Sequence, residues 1–200
     1  MVDERRSSLP EVVDRTAFET ELDALRVREK ARKQLIAYYF MWHPGHPAAE
    51  QCQGCTWCNG NVAELSYLHS RDITDAVFCQ GPYDESRRYR DFMGWTMPWY
   101  SAVDSLDELL VGRKIGNMHL VCYVRDGDRV FDTWWTTIRG VEVMDNSYSL
   151  MDLTVYGRQE VHEDSPDGWP QQWEVGGLTG NGRPISQWSR LEAGRSDDLT

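Results

Sequence analysis

A dense run of apolar and aromatic residues, QLIAYYFMW, occupies residues 34–42. The run is too short for a buried helix and is rich in strand-forming residues, so it predicts a strand buried on both faces. Such strands are typical of parallel or mixed sheets that have helices outside. Two prolines within residues 43–47 end this strand, because proline cannot donate a hydrogen bond to a neighbouring strand.

Helical and strand patterns alternate along the rest of the chain. Thr16 and Glu19 have the spacing of a capping box and predict the start of a first helix. A β-hairpin is predicted where two apolar stretches, 119–124 and 129–133, flank the turn residues Asp126 and Gly127. The remaining predicted elements are a helical segment over 56–69, a short strand over 75–79, a helix over 83–93 that ends at Gly94, and a last helix within 140–153.

The length of 200 residues fits one domain with an appended tail. We expect a loose lead-in over residues 1–15 and a domain over 16–161. Residues 162–200 form an extended arm in this prediction, with a disordered end from about residue 192. Trp169, Trp173 and Trp188 lie along the arm, and a disordered tail seldom contains so many tryptophans. The arm is therefore expected to bury them against its own domain or against a second subunit, as in a homodimer.

The net charge of −11 argues against a nucleic-acid partner, because phosphate backbones require basic surfaces. No stretch approaches the roughly 20 apolar residues that a membrane span needs, and the charged start of the chain lacks the apolar core of a signal peptide. We therefore expect no membrane partner and a cytoplasmic location. In a reducing compartment, clustered cysteines indicate redox chemistry or metal binding rather than structural disulfides.

Candidate chemistry is concentrated in the stretch HPGHPAAEQCQGCTWC, which contains His43, His46, Cys52, Cys55 and Cys58. A Cys-x-x-Cys pair between a strand and a helix is typical of a dithiol at a helix N-terminus. The free N–H groups and the dipole of the helix favour a thiolate there. The order of elements around this pair predicts a thioredoxin-like α/β fold, with a central mixed sheet flanked by helices.

Several segments resemble the bacterial thioredoxin-like family known as domain of unknown function 899. They are LPEVVDR, RKQLIAYYFMWHPG, CQGC, MGWTMPWY, VRDGDRVFDTWWTT and SYSLMDLTVYGR, and the resemblance spans roughly residues 9–158. It implies a thioredoxin-like fold with Cys52 and Cys55 as the dithiol, but no reaction. His43, His46 and Cys58 depart from the family's usual residues at these positions. The Sco copper proteins give a weaker, geometric analogy through His119, which lies shortly before the hairpin turn.

Two interpretations of the cluster remain open. In a dithiol, Cys52 is the nucleophile and Cys55 resolves the mixed disulfide. In a metal site, thiolates and imidazoles favour copper over zinc, since thiolates select Cu(I). Taken singly, Cys58 could instead be a small buried residue, and the histidines could be ordinary loop residues. The complete set of predicted metal ligands is Cys52, Cys55, Cys58, His43, His46 and His119.

Three functions are consistent with these patterns. The leading hypothesis is a copper-binding oxidoreductase that performs oxidative chemistry on a small molecule, with sulfur-containing compounds among the candidate substrates. The alternatives are a metal-free thiol–disulfide oxidoreductase that uses Cys52 and Cys55, and a non-catalytic copper carrier or sensor. Trp95, Trp99 and Trp135 could form an aromatic wall for an organic substrate, although packing in the core is the favoured role for such residues.

Overall fold

A five-stranded mixed sheet forms the centre of the chain in the computed structural model, which describes residues 33–171 and 177–200. The helix predicted to begin at Thr16, the lead-in before it, and Trp173 all lie outside the described residues. The strands of the sheet are β1 (Gln34–Phe40), β2 (Ile73–Cys79), β3 (Trp99–Ser101), β4 (His119–Asp126) and β5 (Arg129–Thr137). A small second sheet joins β6 (Thr179–Gly180) to β7 (Arg183–Pro184).

The strand order in the main sheet is β3-β2-β1-β4-β5. Strand β1 pairs in parallel with β2 and antiparallel with β4, so the sheet is mixed. Its central place explains why residues 37–40 are fully buried and why the run reads as continuously apolar. The predicted hairpin is present as β4 and β5, each extending beyond its predicted end.

Short helices connect and cover the strands. They are α1 (Gln53–Gly60), α2 (Ser66–His69), α3 (Tyr83–Met93), α4 (Leu106–Leu110), α5 (Asn146–Met151) and α6 (Trp188–Glu192). In the described part of the chain, four 3₁₀ segments accompany them, at Ala48–Glu50, Val103–Ser105, Ile138–Met144 and Ile185–Gln187. No helix in the described part of the chain is long and apolar enough to cross a membrane.

Alternation along β1 divides the core into two clusters. Tyr38 and Phe40 point to the face that α1 covers, together with Cys55. Ala37 and Tyr39 point to the opposite face, because successive side chains of a strand alternate between faces. The chain therefore has the predicted α/β thioredoxin-like architecture, with a central mixed sheet flanked by helices.

The clearest local signals predicted their elements well, and the weaker ones did not. Helix α3 has the predicted bounds, and Gly94 ends it with a φ of 73°, a left-handed conformation that suits glycine. The single helix predicted over 56–69 is wrong, because α1 ends at Gly60 and α2 begins only at Ser66. The helix predicted within 140–153 is also divided, into a 3₁₀ segment and α5.

The C-terminal residues pack against the domain, which differs from the expected disordered end. The side chain of Leu199 is buried in the core cluster on the α1 face, and its carbonyl oxygen accepts a hydrogen bond from Arg88. Gln187 is fully buried, and its amide donates to the carbonyl of Ala48 and to the hydroxyl of Tyr89. Lys33–Thr200 accordingly forms one compact unit.

Gly81, just after β2, is expected to tolerate no side chain. A Cβ built there would lie 2.7 Å from Trp42 Cβ and closer still to its indole ring. The ring is buried and cannot easily move, so Gly81→Ala should lower the free energy of unfolding by about 1–3 kcal/mol in urea denaturation. Gly60→Ala is the control, since a Cβ there meets nothing within 4 Å. Equal stability of the two variants would contradict this expectation.

Candidate functional site

The dithiol lies where the central strand β1 passes through a short loop into α1. Gln51 organises this loop although it is itself buried, with 2% of its surface exposed. Its side-chain amide donates to the carbonyl oxygens of His43 and His46 at 2.9 and 3.0 Å, and its amide oxygen accepts the His43 N–H at 3.1 Å. These three bonds hold the loop in one shape and thereby position Cys52 at the start of α1.

Cys52 caps the N-terminus of α1. Its sulfur accepts the backbone N–H of Cys55 at 3.4 Å, as a capping side chain does. A hydrogen bond from the Cys55 thiol lowers the pKa of Cys52 to about 7, and the backbone N–H groups of Cys55 and Gly54 act in the same direction against the effect of burial. The partly exposed Cys52 is thus the cysteine of the pair that supports a thiolate near neutral pH.

Cys55 is the protected member of the pair. It is fully buried, and burial followed by the neighbouring Cys52 raises the pKa of its thiol well above the usual value. The backbone N–H of Met41 donates to the Cys55 sulfur at 3.3 Å. The two thiols therefore differ in access and in acidity, as the dithiol interpretation requires.

Cys58 is buried beside a carboxyl group. Its buried thiol donates to Oδ2 of Asp145 at 3.7 Å, and burial followed by this carboxyl raises the pKa of Cys58. Burial in turn raises the pKa of Asp145 from 3.8 to about 7. Asp145 lies 87 positions from Cys58 in the chain, and no local motif marks it. Cys58 is therefore a protonated thiol paired with a buried carboxyl.

The buried hydroxyl of Tyr38 lies near these cysteines on the α1 face of β1. Tyr38 is fully buried, and its pKa is raised well above 10.0, first by burial and then by the nearby Cys55 and Cys58 thiols. Strand β1 thus places the aromatic ring of Tyr38 beside the cysteines of α1. Burial against β1 excludes water from Cys55 and helps keep its thiol protonated.

The structure does not bring the predicted histidine ligands to the dithiol as a group. His46 is exposed and its Nδ1 pairs with Glu50 at 2.9 Å. His43 lies beside it, with the two ring centroids 5.8 Å apart. Within residues 33–171 and 177–200, no three His, Cys, Asp or Glu side chains are grouped so that they could hold a metal ion.

His119 lies on the opposite face of the sheet from the dithiol. It is paired with Tyr39 across β1 and β4, and paired residues of neighbouring strands share a face. Its buried ring lies near Tyr39 and Trp135, and its Nε2 is 2.9 Å from the carbonyl oxygen of Lys114. The prediction of His119 as a ligand of the Cys52 site is therefore wrong.

The three tryptophans do not share one wall. Trp95 and Trp99 are buried in the core, where their rings stack with centroids 5.8 Å apart and contact Phe40. Trp135 is 46% exposed and lies on the other face of the sheet, under the guanidinium of Arg113. Core packing accounts for the first two, in agreement with the favoured alternative.

A cavity of about 550 Å³ lies beside α1, a feature that the sequence did not indicate. The rings of Trp57 and Tyr148 form one wall, with centroids 4.8 Å apart, and the Arg158 guanidinium covers the Tyr148 ring at 4.1 Å. Gln53, the residue after Cys52, lies on the cavity lining. The volume is in the range of small-molecule sites, so the dithiol has a concave surface nearby.

Comparison with known proteins identifies a family but no function. Residues 1–190 match the family model described as "Bacterial protein of unknown function (DUF899)". No curated protein matches the chain, and no solved structure does.

Proposed function

The chain belongs to the bacterial DUF899 family, whose function is unknown, and we propose that it is a thiol–disulfide oxidoreductase that uses Cys52 and Cys55. The observation that carries the proposal is the asymmetry of the pair. Cys52 is partly exposed with a pKa lowered to about 7, whereas Cys55 is fully buried with a raised pKa. This difference suits one cysteine to attack and the other to resolve.

The proposed reaction reduces a disulfide in two steps. The Cys52 thiolate attacks one sulfur of the substrate, a mixed disulfide forms, and the other substrate sulfur leaves as a thiolate that takes up a proton. Cys55 then loses its proton and attacks the Cys52 sulfur, which releases the second substrate thiol and leaves a Cys52–Cys55 disulfide. A dithiol reductant supplies two electrons and two protons to restore the pair.

The larger copper site of the leading sequence hypothesis requires donors that lie apart. His119 is across the sheet, His46 pairs with Glu50, and Cys58 pairs with Asp145. The dithiol mechanism requires only Cys52 and Cys55, which are adjacent at the start of α1. For this reason we favour thiol–disulfide exchange over oxidative copper chemistry on a small molecule.

The test is the turnover of a small disulfide with dithiothreitol as the reductant. Cys52→Ser should reduce the rate to that without protein, because the attacking thiolate is lost. Incubated with the disulfide before dithiothreitol is added, Cys55→Ser should accumulate the mixed disulfide on Cys52, which intact-mass spectrometry detects as an added substrate half. Cys122→Ser is the matched control, a partly buried cysteine on β4, and should retain wild-type turnover.

Two outcomes would contradict the proposal. One is turnover that persists in Cys52→Ser. The other is a wild-type protein in which peptide mapping after mild oxidation finds no Cys52–Cys55 disulfide. Loss of turnover in Cys122→Ser as well would indicate damage to the fold rather than loss of the nucleophile, and thermal unfolding of each variant distinguishes these cases.

A further inference from the structure

Met41 contacts both cysteines of the dithiol. Its backbone N–H donates to the Cys55 sulfur at 3.3 Å, and its thioether sulfur lies 3.9 Å from the Cys52 sulfur. Met41 directly follows β1, so the central strand fixes its backbone. Three sulfur-bearing side chains thus meet where β1 ends and α1 begins. Met41 is not among the metal ligands that the sequence predicts.

The spacing of these sulfurs suits a shared metal ion. Two sulfurs that each lie about 2.3 Å from one ion are separated by about 4 Å. The Cys52–Met41 separation of 3.9 Å has this value, and the Cys52 sulfur is 3.4 Å from the backbone nitrogen of Cys55 in the first turn of α1. Cys52 and Met41 are both partly exposed, so an ion can reach them from solvent.

The donor types select the metal. Thiolate and thioether sulfurs are soft ligands and favour Cu(I), whereas zinc prefers four donors drawn from thiolate, imidazole and carboxylate. Two of the imidazoles that a zinc site could use are directed elsewhere, since His46 pairs with Glu50 and His119 lies on the other face of the sheet, and the ring of His43 lies beside that of His46. Two thiols and one thioether therefore fit a monovalent soft cation best.

We propose that the reduced chain binds one Cu(I) ion through the sulfurs of Cys52, Cys55 and Met41. Binding displaces the two thiol protons to solvent, and copper remains in the +1 state throughout. Cys58 is not a ligand, because its thiol is buried against Asp145. This inference does not depend on the proposed exchange reaction, although it uses the same two cysteines.

The experiment is anaerobic competition for Cu(I) between the full chain and a coloured Cu(I) chelator. Wild type should bind one equivalent, and Cys52→Ser and Cys55→Ser should each weaken binding by at least about 100-fold. Met41→Leu, which keeps the apolar volume, should weaken it by about tenfold, or about 1.4 kcal/mol. The matched controls, Cys58→Ser and Met144→Leu, should bind as tightly as wild type. Met144 packs against the same core cluster.

Other outcomes would overturn the assignment. If Met41→Leu bound Cu(I) as tightly as wild type does, the Met41 thioether would not be a ligand. A larger loss in Met118→Leu would assign that role to Met118, whose side chain lies beside Gly54. A loss in Cys58→Ser equal to that in Cys52→Ser would place the ion deeper in the core. X-ray absorption of the copper-loaded wild type should show three sulfur neighbours, and nitrogen neighbours would contradict the site.

The two proposals can fail separately. Turnover of a disulfide in the presence of a copper chelator tests only the exchange reaction. Chelator competition on the reduced chain, with no disulfide substrate present, tests only the copper site. A chain that exchanges disulfides without binding Cu(I) would overturn the copper inference and leave the proposed function intact.

Discussion

Asp145→Asn is expected to make the protein more stable than wild type at pH 8, by up to about 4 kcal/mol. The carboxyl is buried, and burial raises its pKa from 3.8 to about 7. Between these pH values the folded chain keeps the proton that the unfolded chain has lost. The folded state therefore binds more protons, and stability falls as pH rises from about 4 to about 7. Above pH 7 the cost of the buried carboxylate is fully present.

Urea denaturation of wild type and variant at a series of pH values measures this effect. The two proteins should have similar stability below pH 4, where Asp145 is protonated in both states, and should diverge up to about pH 7. Asp104→Asn, which makes the same chemical change at an exposed position, is the control and should not be stabilised at pH 8. A constant difference between Asp145→Asn and wild type at all pH values would contradict the raised pKa.

Asp75 on β2 should act in the same direction. Burial alone raises its pKa from 3.8 to about 6, and its side chain is 3% exposed. The stability that depends on protonated Asp75 should fall over a narrower range, from about pH 4 to about pH 6. The reason is the same, because the folded chain binds more protons than the unfolded chain in this range. Asp75 and Asp145 are thus both buried carboxyls whose ionisation opposes folding.

Phe40→Ala is expected to lower the free energy of unfolding by about 3–5 kcal/mol, the usual cost of emptying a buried aromatic site. Phe40 is fully buried at the end of β1. Its ring lies 5.4 Å from that of Trp99 and 6.1 Å from those of Tyr89 and Trp95, measured between centroids. These rings come from α3, the segment after it, and β3, so the cavity would loosen several elements at once.

The matched control for this change is Phe131→Ala. Phe131 lies on β5 and is 43% exposed, so its removal should cost less than about 1 kcal/mol. Guanidinium denaturation of both variants gives the comparison. Similar losses for the two would mean that the aromatic cluster around Phe40 can collapse into the space. Because β1 also leads into the dithiol loop, Phe40→Ala should increase the rate at which alkylating reagents modify Cys55.

Local patterns were sufficient for several elements and for the dithiol. The apolar run over 34–42 predicted the central strand, since a strand buried on both faces needs apolar side chains at every position. The hairpin and the end of α3 at Gly94 followed from turn and cap residues, whose conformations are set locally. The Cys52–Cys55 pair followed from its place between a strand and a helix.

Other features required the tertiary structure. His119 lies on the face of the sheet opposite the dithiol because it pairs with Tyr39 of β1. A shift of one residue in this pairing would move its side chain to the other face. The helix predicted over 56–69 is interrupted after Gly60. The burial of Leu199 depends on contacts with residues that are far from it in the chain. The local sequence patterns did not predict these outcomes.

The stretch from His43 to Cys58 shows the same division. The sequence determined that two thiols lie at the start of a helix, because strand, loop and helix signals are local. Only the tertiary structure decided that Asp145 contacts Cys58 and that Met41 contacts both Cys52 and Cys55. Contacts of a few ångströms between distant or differently oriented residues depend on how β1, α1 and the segment before α5 pack, and spacing along the chain does not encode that packing.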